Sequence, residues 1–397
     1  MSTFQILTLN QISQVGLKRF PHDHYTVAKD CAVPDAILVR SQDLHGYDIP
    51  ASVKAIGRAG AGTNNIPVDR MNQRGAPVFN APGANANAVK ELVIAGMLLA
   101  ARNIPGALRF VSGLSGDTAK DADQMERAVE EGKKHYAGME LANHTLGVIG
   151  LGKIGCLVAD AAIRLGMQVL GYDPEITVDA AWSLPSQVKK ANSIEELLKN
   201  SHFVSLHVPL LKVTRHLIGR ERVELMKPGS VLLNFSRDAV VDEAAVLAGL
   251  NAHKLRHYVC DFPSPALAGH AGVIALPHLG ASTREAEDNC AVMVVDQVRD
   301  YLEHGNIRNA VNFPDVAMGR EAPYRVGIAN ANVPNMLGQM STAMAKAGLN
   351  IHTMMNKSRG EMAYTLVDVD SPVEAAVIAA LTAIPGVLSV RYLPQPE

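Results

Sequence analysis

The apolar residues of this chain fall mostly in short continuous runs, separated by turns and by stretches with helical spacing. The runs Phe4–Leu9, Ala36–Val39, 53–58 and 77–80 read as strands, and 68–74 and 88–101 read as helices. Short apolar runs without alternation fit strands buried on both faces, and their alternation with helices implies a parallel sheet with crossovers. Residues 102–140 follow with helical character and a charged second half (DADQMERAVEEGKKH), which reads as a solvated helical face.

The stretch 145–174 (TLGVIGLGKIGCLVADAAIRLGMQVLGYDP) has a tighter logic. A buried strand ends on Gly150-Leu-Gly152-Lys153-Ile154-Gly155, an apolar Ala-rich helix follows, and a second strand, 168–172, stops at Asp173. This order fits a dinucleotide site. Gly150 permits the tight turn, Gly152 opens the backbone N–H groups to a pyrophosphate at the helix start, and Gly155 lets helix and strand approach. Asp173 is placed to accept hydrogen bonds from ribose hydroxyls and would repel a 2′-phosphate; Pro174 and Glu175 supply no compensating cation. NAD is therefore expected over NADP.

Downstream the alternation continues. Strands at 203–208, 231–235, 258–260 and Val273–Ala275 end near His207-Val208-Pro209, Asn234 to Arg237, Asp261, and Pro277-His278-Leu279-Gly280. Ligands of open α/β sheets sit beyond the carboxyl ends of strands. Next to a nicotinamide, His278 fits an acid/base that moves a hydroxyl proton, and Arg237 fits a bidentate clamp for a carboxylate.

Composition limits the alternatives. With 397 residues, 48% hydrophobic and 19% charged, the chain has room for two or three domains. A net charge of −2 gives no electrostatic reason to expect nucleic acid or a membrane surface as partner. Cys31, Cys156, Cys260 and Cys290 are scattered with no metal-ligand spacing, so no metal is expected and buried reduced thiols are. No signal peptide is apparent at the N-terminus, and the apolar block 92–101 is too short to span a bilayer. The expected setting is cytoplasmic.

The ordered set GLGKIG, YDP, HVP, NFSRDAVVDEAAVL and PHLGAST resembles the D-isomer-specific 2-hydroxyacid dehydrogenases. VRS (39–41), GRAGAGTNNI (57–66) and NAPGANANAVKELV (80–93) resemble the substrate domain of the D-3-phosphoglycerate dehydrogenases within that family. The resemblance implies two doubly wound parallel-sheet domains, with the chain leaving the first, building a Rossmann domain, and returning through Arg284–His304. The expected boundaries are 1–97 with 283–318 for substrate and 98–282 for NAD. It implies catalysis by Arg237 and His278, and a cofactor path along His207, Val208, Pro209, Asn234, Asp261 and Gly280. Arg40, Arg58, Gly60, Ala61, Gly62 and Lys90 would meet the substrate, 3-phosphoglycerate or 3-phosphohydroxypyruvate. Three departures stand out. The Glu that pairs with the family's catalytic His is missing from Asp261-Phe-Pro-Ser-Pro265, and Asp238 and Lys90 stand where Gly and Ala are usual. A dehydrogenase for another 2-hydroxy acid (hydroxypyruvate or 2-oxoglutarate as the oxo acid) and a catalytically silent sensor of NAD and amino acid stay open.

Residues 306–323 hold two prolines' worth of turn signals and little periodicity, and read as a linker. Beyond it, 322–397 shows a βαββαβ order, ferredoxin-like, and ANVPNMLGQMSTAMAKAGLNI with AYTLVDVD resembles the ACT domain. That resemblance implies L-serine held at a module–module interface by Asn330, Asn332 and Asn350, with Asn335 at the helix start, and a homodimer or homotetramer.

Overall fold

The computed structural model describes residues 3–115 and 121–395. The chain forms two compact units, residues 1–85 with 284–397 and residues 86–283.

The first unit opens with five parallel strands, β1 Phe4–Leu9, β2 Tyr25–Ala28, β3 Ala36–Val39, β4 Ala55–Arg58 and β5 Val78–Phe79, in the order β2-β1-β3-β4-β5. β3 is buried at every position, which is why its sequence shows no alternation. The return helix Arg284–His304 lies on this sheet: Val294, Val298 and Tyr301 are buried with Phe79, and a Cβ at Gly57 would stand 2.8 Å from Val294 and 2.9 Å from Val298.

The second unit holds seven parallel strands, β6 Thr145–Ile149, β7 Gln168–Tyr172, β8 Lys189–Lys190, β9 Phe203–Leu206, β10 Ser230–Asn234, β11 Leu255–Cys260 and β12 Val273–Ala275. Their order is β12-β11-β10-β9-β6-β7-β8, so the winding reverses between β6 and β9, where such sheets open a crevice. The helix expected to be cut at residue 97 belongs wholly here: Ala86–Ala101 buries Val89, Val93, Met97 and Ala100 against Val148, Ala159, Phe235 and Val259. The division thus falls at 85/86 rather than 97/98, because the first half of this helix has its apolar partners in the second unit. The helical region expected over 102–140 resolves into Ile104–Gly113, Ala122–Gly132 and a 3₁₀ turn, Lys133–Tyr136; residues 116–120 lie outside the described residues. No single helix among the described residues is long and apolar enough to cross a membrane.

After the return helix, 306–323 is more than a linker. Ile307, Phe313 and Val316 are fully buried, and Ile307 pairs with Val316 across an antiparallel bridge. The C-terminal segment then forms β13 Tyr324–Ala331, β14 Ile351–Arg359, β15 Met362–Val369 and β16 Val387–Pro394, with helices Met336–Lys346 and Ala375–Thr382. The antiparallel sheet runs β14-β15-β13-β16, the ferredoxin-like order. Met336, Met340, Met344 and Leu381 cover one face with Val326, Ile328 and Val367. The other face, through Ala329, Tyr364 and Leu366, joins the core of the N-terminal sheet. The tail therefore shares a unit with residues 1–85 and the return helix instead of standing apart.

Candidate active site

β6 leads into Gly150, whose φ of +91° lies in the left-handed region that favours glycine. A Cβ on Gly155 would strike the Gly150 carbonyl, so the helix Lys153–Arg164 packs directly against the turn. Gly152 begins this helix with no side-chain cap, and a Cβ there would meet nothing. The first-turn N–H groups, those of Lys153 and Ile154 among them, and the positive end of the helix dipole are thus offered to an anion. Asp173 ends β7 and braces the loop: Oδ2 accepts from Leu151 N at 2.8 Å and Oδ1 from Glu175 N at 2.9 Å. This half-buried carboxylate keeps lone pairs for ribose hydroxyls, so the residues present fit a dinucleotide with a free 2′-hydroxyl.

His207 follows β9 and donates its N–H to Ile149 O at 2.8 Å, at the reversal point of the sheet. Its Nε2 meets Ser205 Oγ at 2.8 Å, while Nδ1 is buried without a partner among the described residues. Burial pushes its pKa down to about 4, so the ring is neutral at neutral pH. The turn continues through Val208 to Pro209, whose carbonyl accepts from Thr214 Oγ1 at 2.6 Å.

Parallel pairing sets the catalytic rim. Asn234 lies opposite Cys260 and Cys260 opposite Ala275, so β10, β11 and β12 end at one level. With strands about 4.8 Å apart, the three ends span roughly 10 Å. Asn234 is fully buried and its amide is spent inside the loop: Nδ2 donates to Arg237 O (2.9 Å) and Tyr258 Oη (3.3 Å), and Oδ1 accepts from Ser236 N and Oγ. It shapes the loop that presents Arg237. Arg237 itself is exposed, with one donor on Ser236 O at 2.6 Å and no carboxylate partner among the described residues. Asp238, where Gly is usual, is exposed and begins a 3₁₀ turn.

Asp261 is 2% exposed, and its two oxygens accept from Leu279 N and Gly280 N, both at 2.7 Å. Burial raises its pKa, against these N–H bonds and the charge of His278. The carboxylate thereby closes the turn in which His278 takes a left-handed φ of +56° and exposes its imidazole. Among the described residues no carboxylate hydrogen-bonds that ring. Phe262 packs against it instead, edge-on at 5.3 Å between centroids, a contact that no local sequence pattern marks.

In the first unit, Arg40 follows β3 and Arg58 ends β4. Arg58 Nε donates to Arg40 O at 2.9 Å, and a Cβ on Gly60 would collide with the Arg58 guanidinium. The loop Gly60-Ala61-Gly62 is tied to the next one by Ala81 N on Gly60 O (2.9 Å) and Asn80 Nδ2 on Ala61 O (2.5 Å). Arg40 forms an ion pair with Glu287 at 2.7 Å. Lys90, in the second unit, stands 3.6 Å from Glu91.

In the tail, Asn330 is 1% exposed with Oδ1 unpaired, Asn332 Nδ2 donates to Gly360 O at 3.0 Å, and Asn350 Nδ2 to Asp370 Oδ2 at 2.6 Å. Asn335 takes the left-handed backbone, φ +66°, and makes no capping bond. The register separates the other two. Asn332 follows Ala331, which pairs with Met362, whereas Asn350 precedes Ile351, which pairs with Val369 at the other end of β15. At about 3.4 Å per residue these positions stand on the order of 25 Å apart along the sheet. Elsewhere, burial raises the thiol pKa values of Cys156, Cys260 and Cys290. Among the described residues no group of His, Cys, Asp or Glu side chains is arranged to hold a metal ion.

Residues 113–280 match the model of the D-isomer specific 2-hydroxyacid dehydrogenase, NAD binding domain. The D-3-phosphoglycerate dehydrogenase of Escherichia coli is 33% identical over 353 residues, 85% of this chain and 81% of that protein. That of Methanocaldococcus jannaschii is 36% identical over 329 residues, covering 80% of this chain. The chain spans 58% of the length of the Methanocaldococcus protein and 52% of its Archaeoglobus fulgidus counterpart. Among solved structures, NAD+-bound 3-phosphoglycerate dehydrogenase of Entamoeba histolytica superposes with a TM-score of 0.61 at 26% identity, covering 78% of this chain and 99% of that one. Rhodotorula graminis D-mandelate dehydrogenase shares the fold, with a TM-score of 0.63 at 23% identity over 78% of this chain and 97% of that one.

Proposed function

Since this chain belongs to the D-isomer-specific 2-hydroxyacid dehydrogenase family, we propose that it interconverts D-3-phosphoglycerate and 3-phosphohydroxypyruvate with NAD, the entry step of serine synthesis. The observation that carries this reading is the common level of the β10, β11 and β12 ends, which carry exposed Arg237 and His278 on the sheet of the Gly150–Gly155 loop.

Bound NAD accepts or returns a hydride at its nicotinamide. Around it the chain holds charge and moves a proton. The helix starting at Lys153 would face the pyrophosphate, and Asp173 the adenosine ribose. Arg237 would grip the substrate carboxylate with its planar fork, and its positive charge would draw electron density from the reacting carbonyl. In the oxidative direction His278 takes the proton of the 2-hydroxyl as the C–H hydride leaves; in reduction it returns that proton to the carbonyl oxygen. Asp261 fixes the turn carrying His278, which answers in part for the missing Glu. Arg40 and Arg58 would hold the phosphate end, with the Gly60–Gly62 backbone beside it. The cation of Lys90 adds to the positive charge available to the substrate.

The C-terminal βαββαβ module would act as an ACT domain that binds L-serine in a homodimer or homotetramer. The spacing between Asn332 and Asn350 supports this arrangement, since one small amino acid reaches both only when two modules contribute one residue each. Cofactor-consuming assays decide the reaction. NADH oxidation should be fastest with 3-phosphohydroxypyruvate and slower with hydroxypyruvate or 2-oxoglutarate, and NADPH should be the poorer donor. A preference for either alternative oxo acid, or for NADPH, would replace this reading.

A further inference from the structure

We propose that Glu287 is an internal counter-ion that occupies Arg40 until a phosphate displaces it, and that it thereby holds down the affinity for the phosphorylated substrate. The inference rests on the reading of Arg40 and Arg58 as the phosphate-holding pair.

Val39 lies opposite Arg58 in the parallel ladder, so Arg40 and Arg58 leave adjacent strands at the same edge. The Arg58 Nε bond to the Arg40 carbonyl locks the two segments together, and the Arg58 guanidinium lies over Gly60, where a Cβ would have to push it aside. Glu287 approaches from the first turn of the return helix and meets Arg40 at 2.7 Å. The charges of Arg40, Arg58 and Glu287 all act on the buried Cys290 thiol.

The exposure of the pair decides what it does. Arg40 is 29% and Glu287 45% exposed, so water already solvates both and the bond contributes little to folding. It is cheap to open. A phosphate brings about two negative charges and three acceptor oxygens to a guanidinium, against one charge and two oxygens from Glu287. It therefore displaces the carboxylate, whereas the neutral hydroxymethyl end of an unphosphorylated analogue does not. Glu287 thus acts as a competitor for Arg40 that sets the affinity for the phosphorylated substrate, and it is not a catalytic residue.

The test uses the full-length enzyme with Glu287→Gln, NADH, and 3-phosphohydroxypyruvate beside hydroxypyruvate. Exposed ion pairs amount to a factor of about two to five in an equilibrium, so KM for the phosphorylated substrate should fall by about that factor. The kcat should not change, nor should KM for hydroxypyruvate. Inorganic phosphate, followed by calorimetry, should bind Glu287→Gln tighter by the same factor, and this gain should vanish in an Arg40→Gln background. An unchanged or raised KM, an equal shift for both substrates, or a gain that survives Arg40→Gln would overturn the inference. Wild-type enzyme that fails to reduce 3-phosphohydroxypyruvate would instead remove the proposed reaction, and phosphate calorimetry would still judge Glu287 by itself.

Discussion

Replacing Arg325 by Met should destabilise the first unit by several kcal/mol, and the structure sets the size. Arg325 and Asp368 are both 0% exposed and form a two-armed pair, Nε to Oδ1 at 2.6 Å and Nη2 to Oδ2 at 2.8 Å. The remaining guanidinium hydrogens go to the carbonyls of His304 (3.1 Å), Met318 (3.0 Å) and Gly319 (2.8 Å). One side chain therefore ties β13 and β15 to the end of the return helix and to the segment after it. Methionine keeps the apolar stem and removes every donor. Asp368 is then a buried anion whose Oδ2 keeps only the Glu321 N–H, and three carbonyls lose their partner. Removing one member of a buried pair costs about 3–5 kcal/mol, a large part of the roughly 5–15 kcal/mol that holds a typical domain. Denaturant titration followed by circular dichroism measures the loss, and limited proteolysis of 306–323 locates it. Arg325→Met with Asp368→Leu should recover part of the loss, because no unpaired charge remains buried, though the carbonyls stay without donors. A loss below about 1 kcal/mol, the range of exposed pairs, or a double variant no better than the single, would refute the argument.

Three other outcomes follow from the same geometry. His278→Ala should lower kcat by about 10²–10⁴-fold while NADH still binds, as judged by its fluorescence; near-normal turnover would remove His278 as the proton carrier. His207 holds its pKa near 4 in the fold against about 6.5 unfolded, so the unfolded chain takes up this proton first and stability falls as pH drops from about 6.5 to 4. His207→Gln should flatten that slope by up to about 3 kcal/mol, and an unchanged slope would show that the ring is solvated. Asn332→Ala and Asn350→Ala should each abolish L-serine binding alone, whereas mixed assemblies of the two should regain sites built from one intact residue of each copy. Mixed assemblies no better than either variant would rule out a shared site.

The fold was legible wherever burial on two faces made strands continuously apolar. β1, β3 and β12 carry the bounds their apolar runs indicate, the Gly150 turn and the βαββαβ tail stand where their patterns put them, and the return helix stands where the resemblance implies it. Short elements escaped for local reasons. β2 (Tyr25–Ala28) has a single fully buried position, and β8 (Lys189–Lys190) has none. The helix Ile194–Asn200 carries a capping signal in its sequence: Ser193 Oγ accepts from Glu196 N at 3.1 Å, and Glu196 Oε2 accepts from Asn192 N at 2.8 Å. Segment 306–323 looked like a linker because it lacks period. Phe313 and Val316 are buried by neighbours far away in sequence, and no local pattern records that.

The site divides in the same way. Residue types at strand ends mark which groups face a ligand, and Arg237 and His278 stand out on that ground. What each group is attached to depends on partners distant in sequence. Asn234 reads as a cofactor contact from its strand end, while the bonds of its amide to Ser236, Arg237 and Tyr258 emerge only in the folded loop. Asp261 looked like another, yet both its oxygens hold the backbone of the His278 turn. Glu287 drew no notice as one acid among several at a helix start, where acids are favoured anyway. Its meaning comes from Arg40, far earlier in the chain, which it reaches only because the return helix lies on the sheet that ends in Arg58. A binding residue can be named from its own chemistry, whereas a residue that restrains it is visible only once the chain has folded.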